Sequence, residues 1–396
     1  MRVIRQFMLC ALFAVCCFGI SFAQVTTSPD NEKSLGDVAR QYRQQKQTNS
    51  ASGQVMVRPF QTQVSYAAEV EQENYKSQMG SMLRRNDFDA LEKEANTVRR
   101  SKSRFLGGVW KLYVFYEGVE GPVGGKLASD GEWEAHIEAL KNWGALKPDS
   151  VTARVALAQA YYSWGYKARG GSYGDKVTKE GWRLLGARLQ LASDALKEAA
   201  GLKAKCPHWY FVLLEIARTQ GWDKAQVRAV LDNAVAFEPA YYHSYREYAN
   251  FLLPKWSGDD GEAEAFAEEA WKRVGGKEGA FLYFEIATVL NCSCGEYGRH
   301  LDGMSWPRIK QGYAAVEELY GISNRKLNRF AYLAVLAGDR PAAEDAFKRI
   351  GDNWDPVTWR TEENFQRFKI LAKRPGTASA QAARGRILGP VSANTP

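Results

Sequence analysis

Residues that usually mark catalysis are scarce in this chain of 396 residues. Its four histidines are His136, His208, His243 and His300. No two of them have the i, i+4 spacing with which a helix presents a zinc pair. Gly121–Lys126 looks like a phosphate-binding loop, but Glu120 stands where the first glycine belongs and Leu127 where serine or threonine belongs. We therefore expect no metal, no cofactor and no enzymatic activity.

Long apolar runs are also rare, and the one that stands out lies at the N-terminus. Arginines in the first six positions precede the run Phe7–Ile20, and small residues follow at Ser21 and Ala23. This order predicts a signal peptide over residues 1–23. No later segment approaches the roughly 20 apolar residues that a membrane-spanning helix needs. We expect a periplasmic or secreted protein with no transmembrane segment after signal removal.

Cysteines are few once the signal is removed. The mature chain keeps Cys206, Cys292 and Cys294. Free thiols seldom persist in an oxidising compartment, so Cys206 paired with Cys292 or Cys294, or a link between the last two, are all open. A buried reduced thiol that packs as a small apolar group is the alternative.

The rest of the chain divides by composition. Residues 24–62 are rich in Gln, Ser, Thr and Asn and predict a disordered linker, and residues 373–396 predict a flexible tail. Between them, residues 63–372 carry amphipathic stretches of helical period, among them 105–117 and 240–253, with sparse strand signals. The fold predicted is all-α, an α-solenoid of tetratricopeptide-like helical hairpins.

A helical repeat is visible in three places. In the last copy, apolar residues from Leu327 to Ala334 stripe one helix, Gly338–Pro341 forms the turn, and Ala343 with Phe347 gives the Ala-x3-Phe signature of the tetratricopeptide unit. The other copies close with Ala234 and Pro239, and with Trp143 and Pro148. Units that bury only one face are stable only when they stack, so the repeat supports the solenoid.

Candidate binding residues lie around two interruptions of the repeat. A Gly-rich insert, Arg169–Asp175, follows a helix with several aromatic residues, and insertions on one face of a repeat protein often shape a binding surface. A plain connection with Gly170 as helix cap is the alternative. Trp164, Arg169 and Trp256 are the binding candidates, although most of the twelve tryptophans have helical spacing and predict core.

Several local motifs together resemble a known family. They are Phe88–Leu91, Trp143 with Pro148, Trp164–Gly170, Cys206–Tyr210, Gly221-Trp222 and Tyr245–Gly258, which reads YREYANFLLPKWSG. The chain resembles, over roughly residues 80–292, an uncharacterised bacterial family of exported or membrane-associated proteins with tetratricopeptide-like helices. The resemblance implies the same fold and a bacterial envelope setting. It implies no catalytic residue, because that family has no assigned reaction.

The net charge and the predicted export restrict the classes of partner that this protein can have. The formal net charge is +8, with arginines and lysines clustered between Arg84 and Arg104; such a cluster meets an acidic partner or remains a solvated helix face. Export argues against nucleic acid as a partner. We expect a non-catalytic scaffold that recognises a protein or peptide in the envelope. The alternative is an enzyme or carbohydrate-binding module with a site in an aromatic cleft, which a cleft holding two facing carboxylates would favour.

Overall fold

The protein is all-α, as predicted. The computed structural model describes residues 66–171, 174–291, 301 and 303–373. Within these residues no strand forms, and a single isolated bridge joins Arg104 to Trp110. The predicted signal peptide and linker lie outside the described residues, as does the predicted tail beyond Lys373, which ends the last helix.

Sixteen α-helices make up the described chain. They are α1 (Ala67–Arg84), α2 (Phe88–Ser101), α3 (Lys111–Val119), α4 (Asp130–Leu146), α5 (Val151–Arg169), α6 (Lys179–Gly201), α7 (Pro207–Gln220), α8 (Lys224–Phe237), α9 (Tyr242–Phe251), α10 (Glu262–Val274), α11 (Gly276–Leu290), α12 (Trp306–Tyr320), α13 (Asn324–Ala337), α14 (Arg340–Ile350), α15 (Pro356–Trp359) and α16 (Glu362–Lys373).

Local signals explain where these helices begin and end. Ser129 and Glu132 form a capping box at the start of α4, in which the side chain of each bonds the backbone N–H of the other. Asp223 caps α8 in the same way. Gly221 and Gly338 end α7 and α13 in the left-handed conformation, which glycine adopts without strain. Such caps satisfy backbone groups that a helix end would leave unpaired.

The helices form an inner and an outer row. Successive helices pack as pairs, most extensively α5 against α6 and α11 against α12, and the odd-numbered helices from α1 to α11 also contact one another in order. In α9 and α11 nearly every residue is buried, whereas α4, α6, α8 and α10 each leave one face exposed. This two-row packing fits stacked helical hairpins.

The inner row returns to its beginning. Arg329 of α13 donates a hydrogen bond to the Thr288 carbonyl of α11 at 2.8 Å, which continues the row. The Arg325 N–H of α13 then donates to Glu69 Oε1 of α1 at 2.7 Å, and helices α1 and α13 touch. The row of inner helices is therefore closed and does not line an open groove. We call the region that these helices surround the ring interior.

One predicted helix begins later than its sequence pattern indicates. The apolar stretch predicts a helix over 105–117, but α3 begins at Lys111. Gly107 and Gly108 have φ values of +80° and +83°, a left-handed conformation incompatible with a helix. The preceding residues form a loop, residues 102–110, that packs against distant helices.

Most tryptophans are structural, as their spacing predicts. Trp110, Trp133, Trp143 and Trp359 are among the largest fully buried side chains, and the half-buried tryptophans pack against the same core. Trp182 is the exposed one, at 36%. Among the described residues, no helix combines the length and apolar character needed to cross a membrane.

Candidate functional site

Trp164, the first binding candidate, lies in a stack of planar groups. Its ring is parallel to that of Trp133 at 6.3 Å between centroids, and the Arg188 guanidinium lies 3.6 Å from its ring centre. Arg188 also donates to the Trp164 carbonyl at 2.9 Å. These contacts fix α5 against α4 and α6, so they account for the side chain structurally.

Arg169 lies at the end of α5, the helix that carries Trp164, whereas Trp256 follows α9. The buried Arg169 guanidinium lies 5.3 Å from the Trp182 ring, and Gly170 caps α5 with φ of +76°. Trp256 packs against the Arg218 guanidinium at 4.2 Å. Trp164 and Trp256 thus pack against different arginines, Arg188 and Arg218, and Arg169 ends the helix that carries Trp164.

The strongest concentration of ionisable groups lies in the ring interior instead. Glu117 of α3 is within electrostatic range of Lys76 on α1, Arg246 on α9 and Arg325 on α13. Helices that are not neighbours in the inner row therefore converge on this carboxylate. Glu120, one turn further along the chain, lies at the end of α3. We call Glu117 and Glu120 the interior acid pair.

Both carboxyls of the interior acid pair are harder to ionise than usual. Burial, followed by the negative charge of Glu117, raises the pKa of Glu120 from 4.5 to about 8. Burial also raises the pKa of Glu117, against the lowering effect of Lys76. Each side chain nevertheless keeps part of its surface exposed. A proton or a nearby cation would satisfy this pair at neutral pH.

A second helix contributes a carboxyl to the same region. Burial, followed by repulsion from Glu247, raises the pKa of Glu215 on α7 well above its usual range, and Glu120 adds to the effect. Gln159 Nε2 donates to Glu215 Oε2 at 3.2 Å. The ring interior thus holds carboxyls from α3 and α7 that are protonated more readily than exposed ones.

Histidine and tyrosine rings pack beside these carboxyls. The His243 and Tyr113 rings are parallel with centroids 3.8 Å apart, and the pKa of Tyr113 is raised by burial and then by Glu117. His208 lies within hydrogen-bonding distance of Tyr241 at 2.8 Å and Gln159 at 3.3 Å. Burial lowers the pKa of both histidines well below its usual value, so both are neutral at pH 7.

A buried ion pair borders the ring interior between α11 and α13. Glu285, which has no exposed surface, accepts a hydrogen bond from Lys326 Nζ, and Arg246 Nη1 lies 3.8 Å from its second oxygen. Burial lowers the pKa of Lys326 to about 8, although Glu285 opposes the change. Two cations sharing one carboxylate neutralise it from neighbouring helices and join α9, α11 and α13 electrostatically.

An expectation that the chain has no serine-nucleophile motif is wrong, because the sequence contains Ser323-x-x-Lys326 and Gly170-Gly171-Ser172-Tyr173-Gly174. Ser323-x-x-Lys326 has the spacing of a serine nucleophile and its lysine base. In the structure, however, Ser323 caps α13 and Lys326 Nζ donates a hydrogen bond to Glu285. Gly170-Gly171-Ser172-Tyr173-Gly174 matches a nucleophile elbow, but it follows helix α5, whereas that elbow follows a strand. Ser172 lies outside the described residues.

The outer row contains a shallow groove of about 390 Å³ over α5, between α4 and α6. Its apolar lining includes Leu140, Ala145, Leu157, Tyr161 and Leu191. Leu191 is 45% exposed, and Leu146, next to Ala145, is 68% exposed. An exposed leucine, Leu191, therefore lies in a depression of the outer surface.

Of the three candidate cysteines, Cys206 lies within the described residues. Cys206 is a free, buried thiol, and its Sγ lies 3.3 Å from the Tyr116 hydroxyl. This matches the buried reduced thiol. Cys292 and Cys294 lie outside the described residues, so their pairing stays a prediction.

Within the part of the chain that the structure describes, no three His, Cys, Asp or Glu side chains are placed to hold a metal ion. The sequence matches no known protein-family model. The resemblance to an uncharacterised exported family therefore stays a prediction.

Proposed function

We propose that this protein is an exported, non-catalytic scaffold of the bacterial cell envelope that recognises a protein or peptide on its helical repeat surface. The observation that supports the proposal best is the apolar groove over α5. Because the inner helices close on themselves, the recognition surface lies on the outer row. Export and the envelope setting derive from the apolar N-terminal run and from the family resemblance.

The shape and the apolar lining of the groove suit one face of an amphipathic helix. Helix-binding grooves take apolar side chains at i, i+3, i+4 and i+7 of the partner. Leu157 and Tyr161, one turn apart on α5, form the floor, and the half-exposed Leu191 forms one wall. An apolar surface of this kind on an otherwise charged face is typical of an interaction site.

Charges along the groove favour a partner helix that carries both signs. Lys141 and Arg154 line the groove beside Asp194 and Glu198. Arg154 Nε lies 3.8 Å from Glu198 Oε2, while Lys141 and Asp194 are largely exposed. Charges at the rim of an interface steer association and choose partners more than they add affinity.

Quantitative capture from an envelope extract tests the proposal. The wild-type protein, Leu191→Glu and the control Leu127→Glu are used as baits, and bound proteins are quantified by mass spectrometry. Leu127 is 69% exposed and lies in the turn before α4, so the control adds the same charge elsewhere. We expect one protein to be lost about tenfold or more from Leu191→Glu alone. Equal recovery by all three baits would contradict the groove as the site.

A second function has a specific observation in its favour. Glu120 at the end of α3 and Glu215 on α7 lie within electrostatic range of each other, with aromatic rings beside them. Paired carboxyls beside aromatic rings are expected of a carbohydrate-binding or carbohydrate-active module. A thermal-shift screen of sugars and amines against wild type and Glu117→Gln tests it. A ligand that raises the melting temperature of wild type and leaves the variant unchanged would support this function and displace the scaffold proposal.

A further inference from the structure

The loop between α2 and α3 is held like a bound ligand. We call residues 102–110 the closing segment. At one end, Lys102 Nζ pairs with Glu238 Oε2 at 2.7 Å; at the other, Trp110 Nε1 donates to the Ala240 carbonyl at 3.0 Å. Both contacts are made with the turn before α9. Trp110 and Ala240 are 130 residues apart in the sequence.

Arg104, in the closing segment, occupies a site lined by aromatic rings. Its guanidinium lies 4.5 Å from the Tyr320 ring centre, 4.9 Å from Trp110 and 5.8 Å from Phe281. Nη2 donates to the Ala240 carbonyl at 3.3 Å. Aromatic faces, a carbonyl acceptor and nearby acid are the groups with which proteins recognise arginine from a partner.

An acid completes the charge of this site. Glu278 Oε2 lies 3.9 Å from Arg104 Nη1, and Glu278 Oε1 accepts a hydrogen bond from the Tyr320 hydroxyl at 2.5 Å. The Arg104 side chain is only 9% exposed, while that of Glu278 is 45% exposed. The site is therefore shielded yet lies near the surface.

The backbone of the closing segment approaches its site too closely for side chains. The Gly107 N–H donates to the Gly321 carbonyl at 3.1 Å. A Cβ on Gly107 would lie 2.9 Å from Ser323 Oγ, and one on Gly108 would lie 2.8 Å from the Tyr320 ring. Both glycines also have positive φ. Glycine at these two positions therefore allows the closing segment to pack closely against α11, α12 and the start of α13.

The closing segment joins the two ends of the inner row. It leaves α2 and enters α3, and it contacts residues just before α9, in α11 and between α12 and α13. Lys102 and Leu106 remain exposed, at 55% for the Lys102 side chain and 43% for Leu106, so a partner can reach the segment. Releasing it would remove the contacts of this segment with Phe281, Tyr320 and Gly321.

We propose that the closing segment is a latch: an arginine-recognition site of this chain is occupied by its own Arg104, and it accepts an external peptide with an arginine beside an aromatic residue once the latch is released. The external occupant is recognised by the aromatic faces, the Ala240 carbonyl and Glu278. This site is separate from the groove over α5 and does not depend on it.

Hydrogen exchange on the full mature chain tests the latch. Arg104→Ala should speed exchange of the Gly107 and Lys326 amides about ten- to thirty-fold, because it removes a shielded cation–π contact and a hydrogen bond. Arg100→Ala, an exposed change in the last turn of α2, is the control and should leave both amides unchanged. Unchanged exchange in Arg104→Ala would overturn the proposal.

A peptide with the sequence of residues 102–110, KSRFLGGVW, tests recognition in trans. Calorimetry should show binding to Arg104→Ala and none to wild type, and a peptide with alanine in place of arginine should bind neither. Absence of binding to Arg104→Ala would overturn the proposal, as would equal binding of both peptides.

If Arg104→Ala fails to fold, Lys102→Glu takes its place. This change sets an acid at position 102, where the lysine is 55% exposed, against the largely buried Glu238 and leaves the Arg104 site intact. The matched control is Lys93→Glu on the exposed face of α2. Lys102→Glu should speed Gly107 exchange and bind the peptide more than its control does; identical behaviour of the two variants would overturn the latch.

Discussion

Glu120 offers a direct test of the charge arrangement in the ring interior. Glu120→Gln keeps the shape of the side chain and removes its ability to ionise. The pKa of Glu120 is about 8 in the folded protein and 4.5 ordinarily, because of burial and then Glu117. Between these pH values the folded chain binds more protons at this site than the unfolded chain does, so stability falls as the pH rises.

The size of the effect follows from the same shift. At pH 7 the full shift corresponds to about 3 kcal/mol of lost stability, and partial exposure of the side chain reduces this to about 1–3 kcal/mol. Below pH 4.5 the carboxyl is protonated in both states and resembles the glutamine amide. Glu120→Gln should therefore match wild type near pH 4 and become more stable than wild type as the pH rises to 8.

Urea unfolding at pH 4, 6 and 8 measures the free energy of unfolding that decides this. Glu180→Gln is the control, because Glu180 is exposed on α6 and its hydrogen bond with Arg183 lowers its pKa. That variant should gain no advantage as the pH rises. The reasoning is refuted if the difference between Glu120→Gln and wild type stays constant across this range or shrinks with increasing pH.

Three further changes test packing and burial, each by urea unfolding. Glu285→Gln leaves the buried Lys326 ammonium without its carboxylate and should lower the free energy of unfolding by about 3–5 kcal/mol, most of which Lys326→Met should restore. Gly312→Ala sets a Cβ 2.3 Å from the Ala280 carbonyl oxygen and should cost about 1–3 kcal/mol. Gly186→Ala, with open space around it inside α6, should instead add about 0.5–1 kcal/mol. A stabilising Gly312→Ala, or equal effects at both glycines, would contradict the packing described.

Local structure was largely predictable from the sequence. Helices α13 and α14 begin and end where the apolar period, the Gly338 stop and the following proline indicate. Each of these signals acts over one or two turns, so a single sequence contains it. Helix α3 begins later than the apolar pattern predicts. Gly107 and Gly108 pack closely against residues that are distant in the sequence, and this packing determines their backbone conformation.

The closed inner row was not predictable in this way. Glu69 and Arg325, whose contact closes the row, are separated by 256 residues. The sequence pattern shows which face of a helix is apolar, but not the rotation between successive hairpins that decides whether a row curves back to its start.

The sequence gives only incomplete signals of the candidate site. Residue type alone indicates Trp164 and Trp256, and arginines inside the fold pack against both rings. Glu117 and Glu120 look like an ordinary solvated face at i, i+3 spacing. The available signal was their position at the end of α3, whose other residues are almost all apolar or aromatic.

The distance between the first helix and α15 tests the closed inner row most directly. Spin labels at Val70→Cys and Val357→Cys, both exposed, are measured by double electron–electron resonance with Cys292 and Cys294 replaced by serine and Cys206 left buried. The Tyr66 hydroxyl bonds the Trp354 carbonyl, so the labels should lie within about 25 Å. An open row of helices spaced about 9 Å apart would place them beyond about 40 Å, and a distribution centred there would contradict the closed ring.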